Sequence, residues 1–109
     1  MTKQLYHCSF EIHGHVQGVH FRRCTERKSK ELGLRGWVMN TEQGTVKGEI
    51  QGNAEQLQQM KRWLQINGSP RSRIDKASFS DLRKISKFHF DNFTIRKHPP
   101  INLTNMNSS

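Results

Sequence analysis

The stretch YHCSFEIHGHVQGVHFRR, Tyr6 to Arg23, decides how this chain folds. Its first eight residues alternate, with Tyr6, Cys8, Phe10 and Ile12 on one face and His7, Ser9, Glu11 and His13 on the other. A period of two marks a strand buried on one side. Gly14 interrupts the alternation, Gly18 follows four residues later, and a helix can begin near Phe21. A strand, a glycine-bounded loop and a helix in direct succession are either an ordinary turn or a nest of backbone N–H groups around a small anion. Spacing alone does not choose between them, and the Gly-Lys-Ser/Thr of a nucleotide P-loop is absent.

Outward from that stretch, residues 21–32 predict a weakly patterned helix. Its best inner face is Phe21, Thr25, Ser29 and Leu32, with Gly33 as C-cap. LRGWVM (34–39) reads as a second strand, NTEQG (40–44) as a turn and TVKGEIQ (45–51) as a third strand, together a hairpin. Asn53, with Gln56 three residues on, predicts an N-cap close to a capping box. Leu57, Met60 and Leu64 keep helical spacing until Gly68, Ser69 and Pro70 stop the helix. IDKASFSDL (74–82) and FDNFTIRK (90–97) are further extended segments. The order β-α-β-β-α-β plus a short last strand predicts an α/β (α+β) fold. It is a ferredoxin-like split-βαβ sandwich, an antiparallel sheet with two helices on one face. One domain is expected over 1–97. Residues 98–109 contain Pro99-Pro100 and no acidic or basic side chain apart from His98, and are expected to form a flexible tail.

The 109 residues suit a single core, and 32% apolar with 25% charged residues is polar for a globular chain without being typical of disorder. No apolar run approaches the ~18 residues of a membrane span, and the first ten residues lack a signal-peptide core. A cytoplasmic protein with Cys8 and Cys24 as free thiols is therefore expected. The net charge of +9 attracts anionic partners, whether nucleic acid, anionic lipid or a small phosphorylated substrate. Charge does not choose among them.

Arg22 falls in the first helical turn, where its guanidinium can clamp tetrahedral oxygens beside the loop N–H groups. His7, His13, His15 and His20 share no fixed face, so no metal is expected. Cys24 is expected to be an inert helix thiol, and Trp37 and Trp63 to be packing residues.

GHVQGVHFRRCTERKSKELGLRGWVMNTEQGTVKGEIQG (14–52) strongly resembles the acylphosphatase family, whose pattern G-x-V-Q-G-V-x-F-R is followed by G-W-V-x-N-T-x-x-G-x-V. MKRWLQINGSPRSRIDKASFSD (60–81) and FDNFTIRK resemble the family's continuation in animals, so the likeness covers about residues 5–97. It implies that the backbone N–H groups of His15, Val16, Gln17, Gly18, Val19, His20 and Phe21 hold the substrate phosphate. It implies further that Arg22 binds phosphate, that Asn40 positions the attacking water, and that Gly14 and Thr41 support the site. The implied enzyme is a monomer without cofactor. It cleaves small acyl phosphates to carboxylate and inorganic phosphate, and that phosphate is a competitive inhibitor. His15 and His20 occupy variable positions of the motif, Ser29 stands where alanine is usual, and Lys97 stands where many members end in tyrosine.

The chemistry is consistent with these residue types. A carboxylate leaving group has a conjugate acid of pKa about 4 and needs no general acid, whereas an alkoxide does. Held phosphoryl oxygens and an oriented water then suffice. The rival is a non-catalytic domain of this type that binds nucleic acid through its basic surface. The RNA-binding aromatic signature, however, is missing from TVKGEIQ.

Overall fold

The structure, a computed structural model, describes residues 3–97. The expected tail at 98–109 lies outside the described residues. The elements in order are β1 (Leu5–His15), α1 (Phe21–Glu31), β2 (Arg35–Asn40), β3 (Val46–Asn53), α2 (Ala54–Arg62), β4 (Arg73–Phe79), β5 (Arg83–Ile85) and β6 (Phe93–Ile95). The strands form one sheet in the order β4-β1-β3-β2-β6, with β5 also paired to β1. Two helices packed on this sheet are the expected α+β sandwich. The pairing is antiparallel except between β2 and β6, which run parallel and make the sheet mixed.

The alternation of β1 holds from Cys8 to Ile12, whereas His7, expected on the open face, is buried. Cys8, Phe10 and Ile12 are buried in the core with Val38, Val46, Ile50 and Phe93 of the neighbouring strands. Against them pack Phe21 from α1 and Leu57, Met60 and Leu64 from the second helical segment. Truncating one of these aliphatic side chains to alanine costs about 2–5 kcal/mol.

The weak pattern of α1 has a local explanation. Thr25 and Ser29 are fully buried, yet their hydroxyls are satisfied. Thr25 Oγ1 donates to the Phe21 carbonyl at 2.7 Å, and Ser29 Oγ donates to Met60 Sδ at 3.7 Å. The helix ends in a Schellman arrangement, with Leu34 N–H on Ser29 O (2.8 Å) and Gly33 N–H on Lys30 O (3.1 Å). The capping box of α2 is complete, since Asn53 Oδ1 accepts from Gln56 N–H and Gln56 Oε1 accepts from Asn53 N–H, both at 2.9 Å. Gln56 Nε2 also donates to Leu32 O at 2.8 Å, tying the start of α2 to the end of α1. Past Arg62 the helix widens into a π turn, Trp63–Asn67, which the spacing of Leu57, Met60 and Leu64 did not announce. Gly68, at a φ of 59°, ends it.

On the face opposite the helices, the segment between β5 and β6 crosses the sheet. His89 N–H donates to Gln51 Oε1 (2.8 Å), and the Arg35 guanidinium lies 4.0 Å from the centre of the Phe88 ring. Beneath it His7 is buried, its Nδ1 2.9 Å from Gln51 Nε2 and its Nε2 2.8 Å from Glu49 Oε1. Glu49 also accepts from Trp37 Nε1 at 2.8 Å. Burial holds the His7 imidazole below its ordinary value, with Arg83 and His89 acting in the same direction and Glu49 opposing.

Candidate active site

The site begins where β1 stops pairing regularly with β4. The register shifts between His13 and Gly14. Gly14 has a φ of +133°, and a Cβ there would collide with the Arg73 carbonyl. The glycine is required by the close approach of β4, so any support it lends the site comes through the bulge. His15 follows, exposed and paired with Arg73.

The loop is pinned from below by Val16 and Val19, both buried. Gly18 has a φ of +74° with open space where a side chain would stand, leaving its backbone approachable. Among the described residues, His20 is the one non-glycine residue with positive φ, at φ 61° and ψ 22°. That left-handed conformation costs roughly 1–2 kcal/mol. It sits at the N-cap of α1, where an extended residue with a capping side chain is usual. No side chain caps the helix, and its first turn holds no acidic residue. Among the described residues, no hydrogen bond takes up the N–H groups of Gln17 through Arg23. A run of free donors at a helix N-terminus carries a partial positive charge of about half an electron.

Asn40 reaches the same end of the sheet by a different route. Val46 pairs with Ile12 on one side and with Asn40 on the other, so the end of β2 is level with Ile12, three residues before β1 ends at His15. The turn expected from Asn40 therefore begins one residue later, because Asn40 is still in the strand. Its Oδ1 is buried and has no hydrogen-bond partner among the described residues.

A hollow of about 400 Å³ lies between these parts, lined by Val16, Gly18, His20, Phe21, Arg22 and Asn40 of the expected set. Arg23 and Ile95 complete the lining and were not foreseen. No carboxylate lines it, and among the described residues Arg22 has no ion-pair partner. A larger hollow of about 730 Å³ runs along α2 and its π turn and contains none of the expected residues.

Gln17 and Thr41 do not line the site; they brace it. Gln17 Nε2 donates to the carbonyls of Thr41 and Thr45, both at 2.9 Å, clamping the loop onto the β2–β3 hairpin. Thr41 Oγ1 accepts from Thr45 N–H (3.1 Å) and meets Thr45 Oγ1 at 2.6 Å, and Thr45 Oγ1 donates to Glu11 Oε2 at 2.8 Å. Glu11 and Thr45 were missed by sequence reasoning. Their one signal was a threonine at each end of a five-residue turn, opposite an acidic residue on the outer face of β1. Among the described residues, no group of three His, Cys, Asp or Glu side chains gathers as a metal site. Cys8 and Cys24 are free, and burial pushes the Cys8 thiol up.

A loop of unclaimed N–H groups and an arginine in the first helical turn can hold an oxyanion on this split-βαβ sheet, with an asparagine acceptor left open beside them. Comparison with known proteins gives this arrangement a family. The acylphosphatase family model matches residues 8–95. Acylphosphatase-1 of Drosophila melanogaster is 48% identical over 98 residues, covering 90% of this chain and 82% of the relative. Acylphosphatase-2 of Rattus norvegicus is 50% identical over 96 residues, covering 88% and 99%. The solved acylphosphatase of Coxiella burnetii superposes with a TM-score of 0.76 at 27% identity, over 88% of this chain and all of its own. The chain belongs to the acylphosphatase family and is an enzyme of that class. No described helix is long and apolar enough to cross a membrane.

Proposed function

We propose that this chain hydrolyses small acyl phosphates with the roles divided between the loop, Arg22 and Asn40. The phosphoryl oxygens rest on the N–H groups of the 15–21 loop, and the Arg22 guanidinium neutralises them from the first turn of α1. Asn40 Oδ1 accepts a hydrogen bond from water and turns a lone pair of that water toward phosphorus. The new P–O bond forms as the bond to the acyl oxygen breaks, its electron pair leaving on the carboxylate. Both protons of the attacking water stay with the released phosphate, which leaves as dihydrogen phosphate. The carboxylate needs no acid, and the donors are fixed before charge develops on the phosphoryl group.

The observation that carries this reading is the buried, unpartnered Oδ1 of Asn40 beside a run of unclaimed N–H groups. A buried acceptor left unpaired is costly, about 1–3 kcal/mol, and is retained where it has a partner in the working state. The same reading has inorganic phosphate as a competitive inhibitor and the enzyme acting as a monomer in the cytoplasm. The nucleic-acid alternative has only the net charge of +9 in its favour.

The test is hydrolysis of benzoyl phosphate in the presence of EDTA, beside an alkyl phosphate monoester. Full activity on the acyl phosphate with none on the monoester is expected. A chelator-sensitive activity, or equal cleavage of both compounds, would overturn the proposed roles.

A further inference from the structure

The walls of the hollow are polar on the side of α1, yet its rim carries one apolar surface. Among the described residues, the large apolar side chains left exposed are Ile66, Leu82 and Ile95. Of these only Ile95, 38% exposed, borders the hollow. Val16 and Phe21 also line it but are each 1% exposed and have almost no surface to offer a ligand.

Ile95 is held firmly. The parallel β2–β6 register sets it opposite Val38, and Arg96 N–H donates to Val38 O at 2.9 Å just beyond it. Val38 and Asn40 share a face of β2, two residues apart, so Ile95 flanks the strand end that carries Asn40. A ligand whose phosphoryl group occupies the N–H groups and Arg22 has its remaining part at the rim.

We propose that Ile95 is a specificity-determining residue that covers the acyl group and makes the enzyme select, among small acyl phosphates, those with a larger apolar acyl group over acetyl. The inference rests on the acyl-phosphate reading above. A side chain about one-third exposed and partly covered by a ligand supports a preference of about three- to tenfold at ordinary hydrophobic transfer energies.

Two measurements test it on the full chain. The first is the ratio of kcat/KM for benzoyl phosphate to that for acetyl phosphate, in the parent, Ile95→Val and Ile95→Ala. The ratio should fall about three- to tenfold in Ile95→Ala, mainly through the KM of benzoyl phosphate, with Ile95→Val between. The second is calorimetric titration with phenylphosphonate and methylphosphonate, which needs no turnover, and the same substitutions should shrink the preference for the phenyl compound. An unchanged ratio and unchanged phosphonate selectivity in folded Ile95→Ala would overturn the inference, as would an equal loss on both substrates. Absence of turnover on both acyl phosphates in the parent would instead overturn the proposed function.

Discussion

Replacing Asn40 by alanine should separate stability from turnover. In the structure the Asn40 side chain makes no hydrogen bond among the described residues, and its Oδ1 is buried. Asn40→Ala therefore removes no internal hydrogen bond and deletes an acceptor whose desolvation costs about 1–3 kcal/mol. Against that gain stands the lost packing of a half-buried amide, of similar size. The net change should lie within about 1 kcal/mol of the parent, on the favourable side. For a domain of this size that is a rise in Tm of at most about 8 °C. Turnover should move the other way, with kcat falling about 10²–10³-fold as when one positioned polar group is removed from a transition state. Product phosphate needs no attacking water, so its inhibition constant should change by less than about threefold. Thermal melts by circular dichroism, kcat on benzoyl phosphate and phosphate inhibition complete the assay. A drop in Tm of 8 °C or more would make Asn40 a structural residue. A kcat within threefold of the parent, with phosphate binding lost, would reverse the roles of Asn40 and Arg22.

Arg22→Ala should lose both turnover and phosphate inhibition, because the guanidinium holds the phosphoryl group before and during reaction; retained phosphate affinity by calorimetry would contradict this. Gln17→Ala removes two half-buried hydrogen bonds to the β2–β3 hairpin and should cost about 1–2 kcal/mol in urea denaturation, with KM raised. Unchanged stability would show that the clamp is idle. His7 sets a pH dependence. Its folded value lies below the ordinary one because of burial, so between the two values the unfolded chain binds more protons. Stability is then fully present above about pH 6.5 and falls as pH drops below it. His7→Gln should flatten the change in unfolding free energy between pH 7 and pH 5, and parallel slopes for the two proteins would remove His7 from the account.

The fold was legible wherever pattern and burial coincide. β1 alternates because one of its faces meets the helices, and the α2 cap was readable because Asn53 and Gln56 satisfy each other locally. The inner face of α1 was harder to read, since Thr25 and Ser29 are polar by type but buried with internal partners. β5 went unread because Arg83 and Lys84 are exposed and its only buried residue is Ile85; it forms by extending the edge of β1. Within the site, Gly14, Gly18 and Arg22 left an ordinary turn and an anion cradle both open, and only the family resemblance pointed to the cradle. Glu11, Thr45 and Ile95 were not foreseen, because each acts across strands through a register that no local window contains.

The two parts of the candidate site adjoin β1 and β2, which are not paired with each other; β3 lies between them and pairs with both. A chain in which the β2–β3 hairpin has formed but has not docked on β1 would hold Asn40 and lack the loop, and a chain lacking the hairpin would hold the loop without Asn40 beside it. Regain of catalytic activity after dilution from denaturant should therefore follow the slowest global phase of refolding, with no active intermediate preceding it.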